Sequence, residues 1–223
     1  MKYLFVVAHP DDEVLGAGAT IHRRIAEGHE VAVATLVNRV AARSNLSPTL
    51  DAEQARAFAV LGIVRSYAAD FPNIKMNTVP HLELVQFVEH CIGDFGAEAV
   101  YTHYPAEANN DHAVTSGAVQ AAIRLFQRRE NIPALREFTF MENASSTEWS
   151  VDVSAGRFQP NYFVEIGEEG LAVKLRALRE YRGVMRPYPH PRSEEALRGL
   201  AAWRGAQAGC HYAEAFQTVF RRD

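Results

Sequence analysis

Near its start the chain reads Lys2-Tyr3-Leu4-Phe5-Val6-Val7-Ala8-His9-Pro10-Asp11-Asp12-Glu13-Val14-Leu15. Tyr3 to Ala8 is an unbroken apolar run, the pattern of a strand buried on both faces of a parallel sheet. Val14, Leu15, Ile21 and Ile25 then recur at helical spacing until Gly28 ends the helix. The polar turn His9–Glu13 therefore sits at the carboxyl end of a strand, where open α/β sheets bind their ligands.

The same alternation continues along the chain. Val31–Val37 predicts a second strand, Asp51–Leu61 a helix closed by Gly62, and Leu82–Phe95 another helix. A buried strand at Ala99–Thr102 precedes a helix over Asp111–Phe126. The second half is less regular, with β-like pieces at Phe138–Met141 and Tyr162–Ile166 and helical patterns at Leu171–Tyr181 and Ser193–Ala208. Strands alternating with helices imply an α/β fold: a doubly wound, mostly parallel sheet with helices on both faces. The C-terminal third would add elements around the mouth of the sheet. With 223 residues, no repeat and no low-complexity linker, one domain over 1–223 is expected.

Composition excludes several classes. Acidic residues outnumber basic ones, 27 to 23, and no long basic run is present, so nucleic acid is not an expected partner. Two cysteines, Cys91 and Cys210, lie far apart outside any C-x-x-C pattern, which fits a reducing compartment. No stretch approaches the ~18 apolar residues of a membrane span, and the expected location is cytoplasmic. Gly16-Ala17-Gly18 lacks the third glycine of a dinucleotide fingerprint and follows an acidic turn that would repel pyrophosphate.

Two polar clusters at strand ends carry the chemistry. The first is His9–Glu13. Acidic residues also suit the first turn of a helix, so this turn alone is weak evidence for a metal. The second is Thr102–His112, in which Asn109-Asn110-Asp111-His112 opens a helix. A histidine and an aspartate from one loop with a histidine from another make three ligands, the number a catalytic zinc takes while keeping a position for water. The mixed nitrogen and oxygen donors also suit Fe2+ or another divalent ion. If Asp12 is the ligand, Asp11 lies close enough to act as general base. Asp111 would either orient a ligand imidazole or cap its helix.

Ala8-His9-Pro10-Asp11-Asp12-Glu13 after an N-terminal strand resembles the signature of the PIG-L/LmbE-like family of N-deacetylases, and Asp111-His112 resembles its second motif. Ser145-Ser146-Thr147-Glu148-Trp149, Pro160-Asn161, Pro189-His190-Pro191-Arg192-Ser193 and Ala213-Glu214-Ala215-Phe216 look like a bacterial branch. The resemblance implies a Rossmann-like sheet, zinc on His9, Asp12 and His112, and Asp11 as the base. It implies a hydrolase removing an N-acetyl group from an amino-sugar substrate, an amide hydrolase acting on C–N bonds other than peptide bonds. The partner would be a small N-acylated amino sugar or glycoconjugate. The number of subunits stays open, a homo-oligomer included.

One position departs from the pattern. Many family members carry a histidine three residues before the last ligand, and here that residue is Asn109. Asparagine supplies no titratable proton, but its NH2 can donate to a developing oxyanion. The proton for the leaving amine would then return from Asp11, with His103 or His190 as substitutes. Candidate substrate contacts are Arg39, Arg43, His103, Trp149, Asn161, His190 and Arg192. Two other readings remain: a deacylase for another N-acyl group, such as an N-formyl sugar or a thiol conjugate, and a non-catalytic sugar-binding homologue. The extra carboxylate of Asp11 argues against the last.

Overall fold

The computed structural model describes residues 1–37, 50–150 and 156–223. The first strand, β1 (Lys2–Val7), leads into helix α1 (Asp12–Ala26), followed by β2 (Glu30–Thr35), α2 (Leu50–Leu61) and β3 (Arg65–Ala68). Next come α3 (His81–Phe95), β4 (Ala99–His103), α4 (Asn110–Ala122) and β5 (Glu137–Met141). The chain ends with β6 (Tyr162–Glu165), α5 (Gly167–Glu180), α6 (Glu194–Ala208) and β7 (Ala213–Arg221). These strands form one sheet in the order β3-β2-β1-β4-β5-β7-β6. From β3 to β5 every pairing is parallel, while β7 runs antiparallel to both β5 and β6.

The apolar run of β1 feeds two separate cores. Tyr3, Phe5 and Val7 pack with residues of α1, α2, α5 and α6 on one face. Leu4, Val6 and Ala8 pack with residues of α3 and α4 on the other. Side chains alternate across a strand, so only a strand covered on both faces can be apolar at every position. This is the α/β architecture expected from the sequence.

Two strands lie outside the sequence expectation. The edge strand β3 is largely exposed and polar, so it carries no hydrophobic period. β7 contains Glu214, a buried carboxylate that breaks the apolar pattern. The expected helix over Asp111–Phe126 ends instead at Ala122, and a short 3-10 turn, Leu125–Gln127, follows.

Glu214 explains a feature of α1. The helix is broken at Ala17 (φ −150°, ψ 16°), which frees backbone groups on either side. Lys174 of α5 donates to the Leu15 carbonyl at 2.7 Å, and Glu214 accepts from the amides of Ala19 (3.2 Å) and Thr20 (2.7 Å). Lys174 and Glu214 pair with each other at 2.7 Å, both buried. The ion pair thus satisfies the polar groups that the break exposes, as burial requires. At Gly16 an added Cβ would lie 2.4 Å from Asn143 Oδ1, so only glycine lets the loop after β5 approach α1 this closely.

Candidate metal centre

The turn after β1 is shaped by Asp11, whose backbone is left-handed (φ 104°) at the N-cap of α1. Its carboxylate makes no capping hydrogen bond. Glu13 instead accepts from the Asp11 amide at 3.1 Å and from the Tyr181 hydroxyl at 2.6 Å. Helix capping therefore does not account for the Asp11 side chain. Asp12 is buried, and its Oδ2 accepts from the His9 amide at 2.9 Å while Oδ1 accepts from Asn143 Nδ2 at 3.0 Å.

Asp12 Oδ2 faces His9 Nδ1 at 3.3 Å and His112 Nε2, from the start of α4, also at 3.3 Å. One donor atom from each of His9, Asp12 and His112 lies within 4.8 Å of the others, a group able to hold a divalent metal ion. Both imidazoles are oriented from behind. Asp111 Oδ2 lies 3.2 Å from His9 Nε2, and Glu107 Oε2 lies 2.5 Å from His112 Nδ1. Carboxylates on the far nitrogens fix the ring orientation and direct the near nitrogens toward the ion position. The donor set thus fits such an ion in number, type and support.

The charges match this arrangement. Burial opposes charge on His112, but Asp12 and Glu107 outweigh it and raise the imidazole to about 10. Burial likewise opposes His9, which hydrogen bonds to Asp111 and Asp12 raise to about 9. Burial would raise Asp12, yet the charges of His112 and His103 hold it well below the ordinary carboxylate range. Asp11 is pushed up to about 7, first by burial and then by the charge of Asp12, with Arg192 acting against them.

A second group, His103, Glu107 and His112, also gathers its donors within 4.8 Å. It is buried, and its atoms are already engaged with one another, with the Thr147 hydroxyl and with backbone. Glu107 accepts from Thr147 Oγ1 at 2.5 Å, and Ala8 N–H donates to His103 Nε2 at 2.9 Å. This group braces His112, against which the His103 ring stacks with centroids 3.9 Å apart.

A cavity of about 620 Å³ opens over the centre, lined among others by His9, Asp11, Asp12, Asn109, His112 and Arg192. Arg192 Nη1 lies 3.6 Å from Asp11 Oδ2. Asn109, not Asp111, caps α4: its Oδ1 accepts from the Asp111 amide at 2.9 Å, which leaves its NH2 as the end available to a ligand.

Four expected substrate contacts are not among the residues lining this cavity. His103 is fully buried beneath it. Trp149 sits on a 3-10 turn beyond the lining residues Ser145 and Ser146, with 58% of its surface exposed to solvent. His190 accepts from the Arg192 amide at 3.0 Å and so shapes the loop that presents that arginine. Asn161 pairs with the backbone of Thr218 on β7. Arg39 and Arg43 lie outside the described residues. Glu107 and Asn143 lie outside the sequence expectation. The spacing of Glu107 to His103 and His112 was a usable signal, whereas Asn143 had none, since it comes into range only when β5 packs beside β4.

A mostly parallel α/β sheet with a His/Asp/His group in a cavity at its carboxyl edge places a candidate metal site where folds of this class bind their ligands. Residues 4–123 match the family described as PIG-L: GlcNAc-PI de-N-acetylase, and the chain belongs to that family. A search of curated proteins returns no match. Among solved structures, the chain is similar to N,N'-diacetylchitobiose deacetylase from Pyrococcus horikoshii complexed with its inhibitor MPG. The identity is 21%, the TM-score 0.78, and coverage 98% of this chain and 83% of that one. It is also similar to the zinc-inhibited form of teicoplanin deacetylase Orf2, at 17% identity and TM-score 0.72, covering 100% and 99%. GalB, the 4-carboxy-2-hydroxymuconate hydratase from Pseudomonas putida KT2440, shares the fold at 20% identity and TM-score 0.77, covering 100% and 98%. Among the described residues no helix is long and apolar enough to cross a membrane.

Proposed function

We propose that this chain is a zinc-dependent N-deacetylase acting on an acetamido sugar or a small glycoconjugate, with all 223 residues forming one catalytic domain. The observation that carries the reading is the convergence of His9 Nδ1, Asp12 Oδ2 and His112 Nε2 beneath a cavity that Asp11 also lines. Zinc bound there would polarise the acetyl carbonyl and make hydroxide available near neutral pH.

The remaining steps belong to the chain. Asp11, its carboxyl raised to about 7 and free of capping duty, takes a proton from the attacking water. Asp111 and Glu107 hold the two imidazoles in register throughout. The free NH2 of Asn109 donates to the oxygen on which charge develops, in the place where a histidine would have offered a proton as well. Asp11 then returns its proton to the leaving amine. Arg192 lines the cavity, and its buried Nε has no acceptor among the described residues, which supports a substrate oxygen as a partner of this side chain.

Arg192 also favours a second reading. A guanidinium beside the base suits a carboxylated substrate, and a hydratase shares this fold.

The test is amine release from a panel of N-acetyl and N-formyl amino sugars by zinc-loaded protein. Asp11→Asn should lose ~10²–10⁴-fold in rate while retaining stoichiometric zinc, because asparagine tolerates the left-handed backbone. His112→Ala should lose the metal. Zinc bound without amine release, together with hydration of a carboxylated alkene, would select the second reading. Failure to bind zinc under any loading would sink both.

A further inference from the structure

Among the described residues, three that are not glycine hold a left-handed backbone: Asp11 (φ 104°), Ile74 (φ 59°) and Ser145 (φ 71°). All three line the same cavity. Strained backbone gathers at functional sites because the surrounding structure must hold it there. Asp11 has a short polar side chain that tolerates this region and lies beside the metal ligand Asp12. Ser145 is small, and its amide donates to Glu148 at 2.6 Å. Ile74 is different: a β-branched residue is the type least suited to a positive φ.

The backbone at Ile74 has a clear task. Its amide donates to Asp111 Oδ2 at 2.5 Å, and the Met76 amide donates to Asp111 Oδ1 at 3.2 Å. This loop therefore grips the carboxylate that orients His9. Glycine would supply the same amide without strain. The backbone task does not explain the side chain; the residue is 41% exposed on a cavity wall whose other lining residues are mostly polar, with Leu15, Ala108 and Ala144 among the exceptions.

We propose that Ile74 is a specificity-determining residue whose side chain packs against an apolar substituent of the substrate, such as an alkyl or aryl aglycone next to the acetamido sugar. The inference rests on the cavity being the substrate site of an N-deacetylase. The strained turn places the apolar group at the rim, and its amide ties that position to the same Asp111 that holds the metal ligand. Substrate choice and metal geometry thus share one loop.

The experiment compares zinc-loaded wild type with Ile74→Gly and Ile74→Val, using methyl and p-nitrophenyl N-acetyl-β-glucosaminides as probes. Calorimetric binding, amine release, zinc content and thermal midpoint are each measured. Ile74→Gly should keep its zinc and melt no lower than wild type, since the strain is relieved. Its preference for the aryl over the methyl compound should fall about tenfold. The loss should lie in KM rather than kcat, and Ile74→Val should restore most of it. An unchanged aryl preference in a well-folded Ile74→Gly overturns the inference, and so does loss of zinc with a lowered midpoint, which would make Ile74 a packing residue. Equal binding of both probes by wild type overturns it too. Aryl-selective binding that depends on Ile74 without amine release supports the contact and defeats the deacetylase reading; amine release indifferent to Ile74 does the reverse.

Discussion

Two imidazoles raised to about 9 and 10 mean that His9 and His112 are both protonated at pH 7 when no metal is bound. Two protons then neutralise Asp12 and its neighbours where a dication would otherwise sit. Metal binding at pH 7 should therefore release on the order of two protons. Calorimetry in buffers of different ionisation enthalpy measures this directly, and a release near zero would contradict the geometry. The sign for stability follows from the same shifts. A raised histidine pKa stabilises the metal-free fold fully below the unfolded value near 6.5, and that contribution disappears as pH rises through 9 to 10. Metal-free protein should thus lose stability on the alkaline side, while metal affinity climbs over the same interval. Glu107 is a second test, because it holds His112 by the nitrogen that faces away from Asp12. Glu107→Gln should weaken metal binding about 10–100-fold without abolishing it, as measured by competition with a chromophoric chelator. The spacing of Glu107 between His103 and His112 hints at this role, but its burial depends on the packing of Thr147 and two histidines around it.

Helix α1 carries Asp12 in its first turn, and its own continuity depends on elements far away in the chain. Lys174→Met leaves the Glu214 carboxylate buried without its cation, and removing one partner of a buried pair costs about 3–5 kcal/mol. Urea unfolding should show that loss, and Lys174→Met combined with Glu214→Gln should recover part of it by removing the stranded charge. A loss below about 1 kcal/mol in the single variant would mean the pair contributes no more than an exposed one. Gly16→Ala tests the other contact of this helix. Its new Cβ would collide with Asn143 Oδ1, costing about 1–3 kcal/mol. Asn143 would be driven away from Asp12, so metal affinity should fall together with the midpoint. The hydrophobic period of α1 runs straight through the break at Ala17, and the flanking Gly16 and Gly18 weaken the helix there without fixing how it breaks. That break is legible only once α5 and β7 deliver a lysine and a glutamate to it.

The cavity is assembled from loops that follow β1, β3, β4 and β5 and from the segment before α6. Strand order β2-β1-β4-β5 puts the carboxyl ends of β1 and β4 side by side, which is why residues about a hundred positions apart share one ion position. Because the site exists only in the folded chain, metal binding must raise the thermal midpoint by mass action. At a metal concentration 1,000 times the dissociation constant, a domain of this size should gain about 10 °C. Scanning calorimetry with and without zinc checks this, and His112→Ala should show no such gain. A wild-type midpoint indifferent to zinc would argue against a metal centre at this edge.

The apolar run Tyr3–Ala8, the polar turn behind it and the second cluster at Asp111-His112 announce the α/β sheet and the residues proposed to hold the metal, because both signals are local. A strand buried on two faces needs an unbroken apolar sequence, and ligands placed at strand ends keep a short, recognisable spacing. The capping of α4 by Asn109, the bracing of His112 by Glu107, the exclusion of His103 and Trp149 from the cavity and the strain at Ile74 have no such local signature. Each depends on which distant segment packs against the residue, and side-chain burial and hydrogen-bond partners are properties of that packing rather than of neighbouring letters.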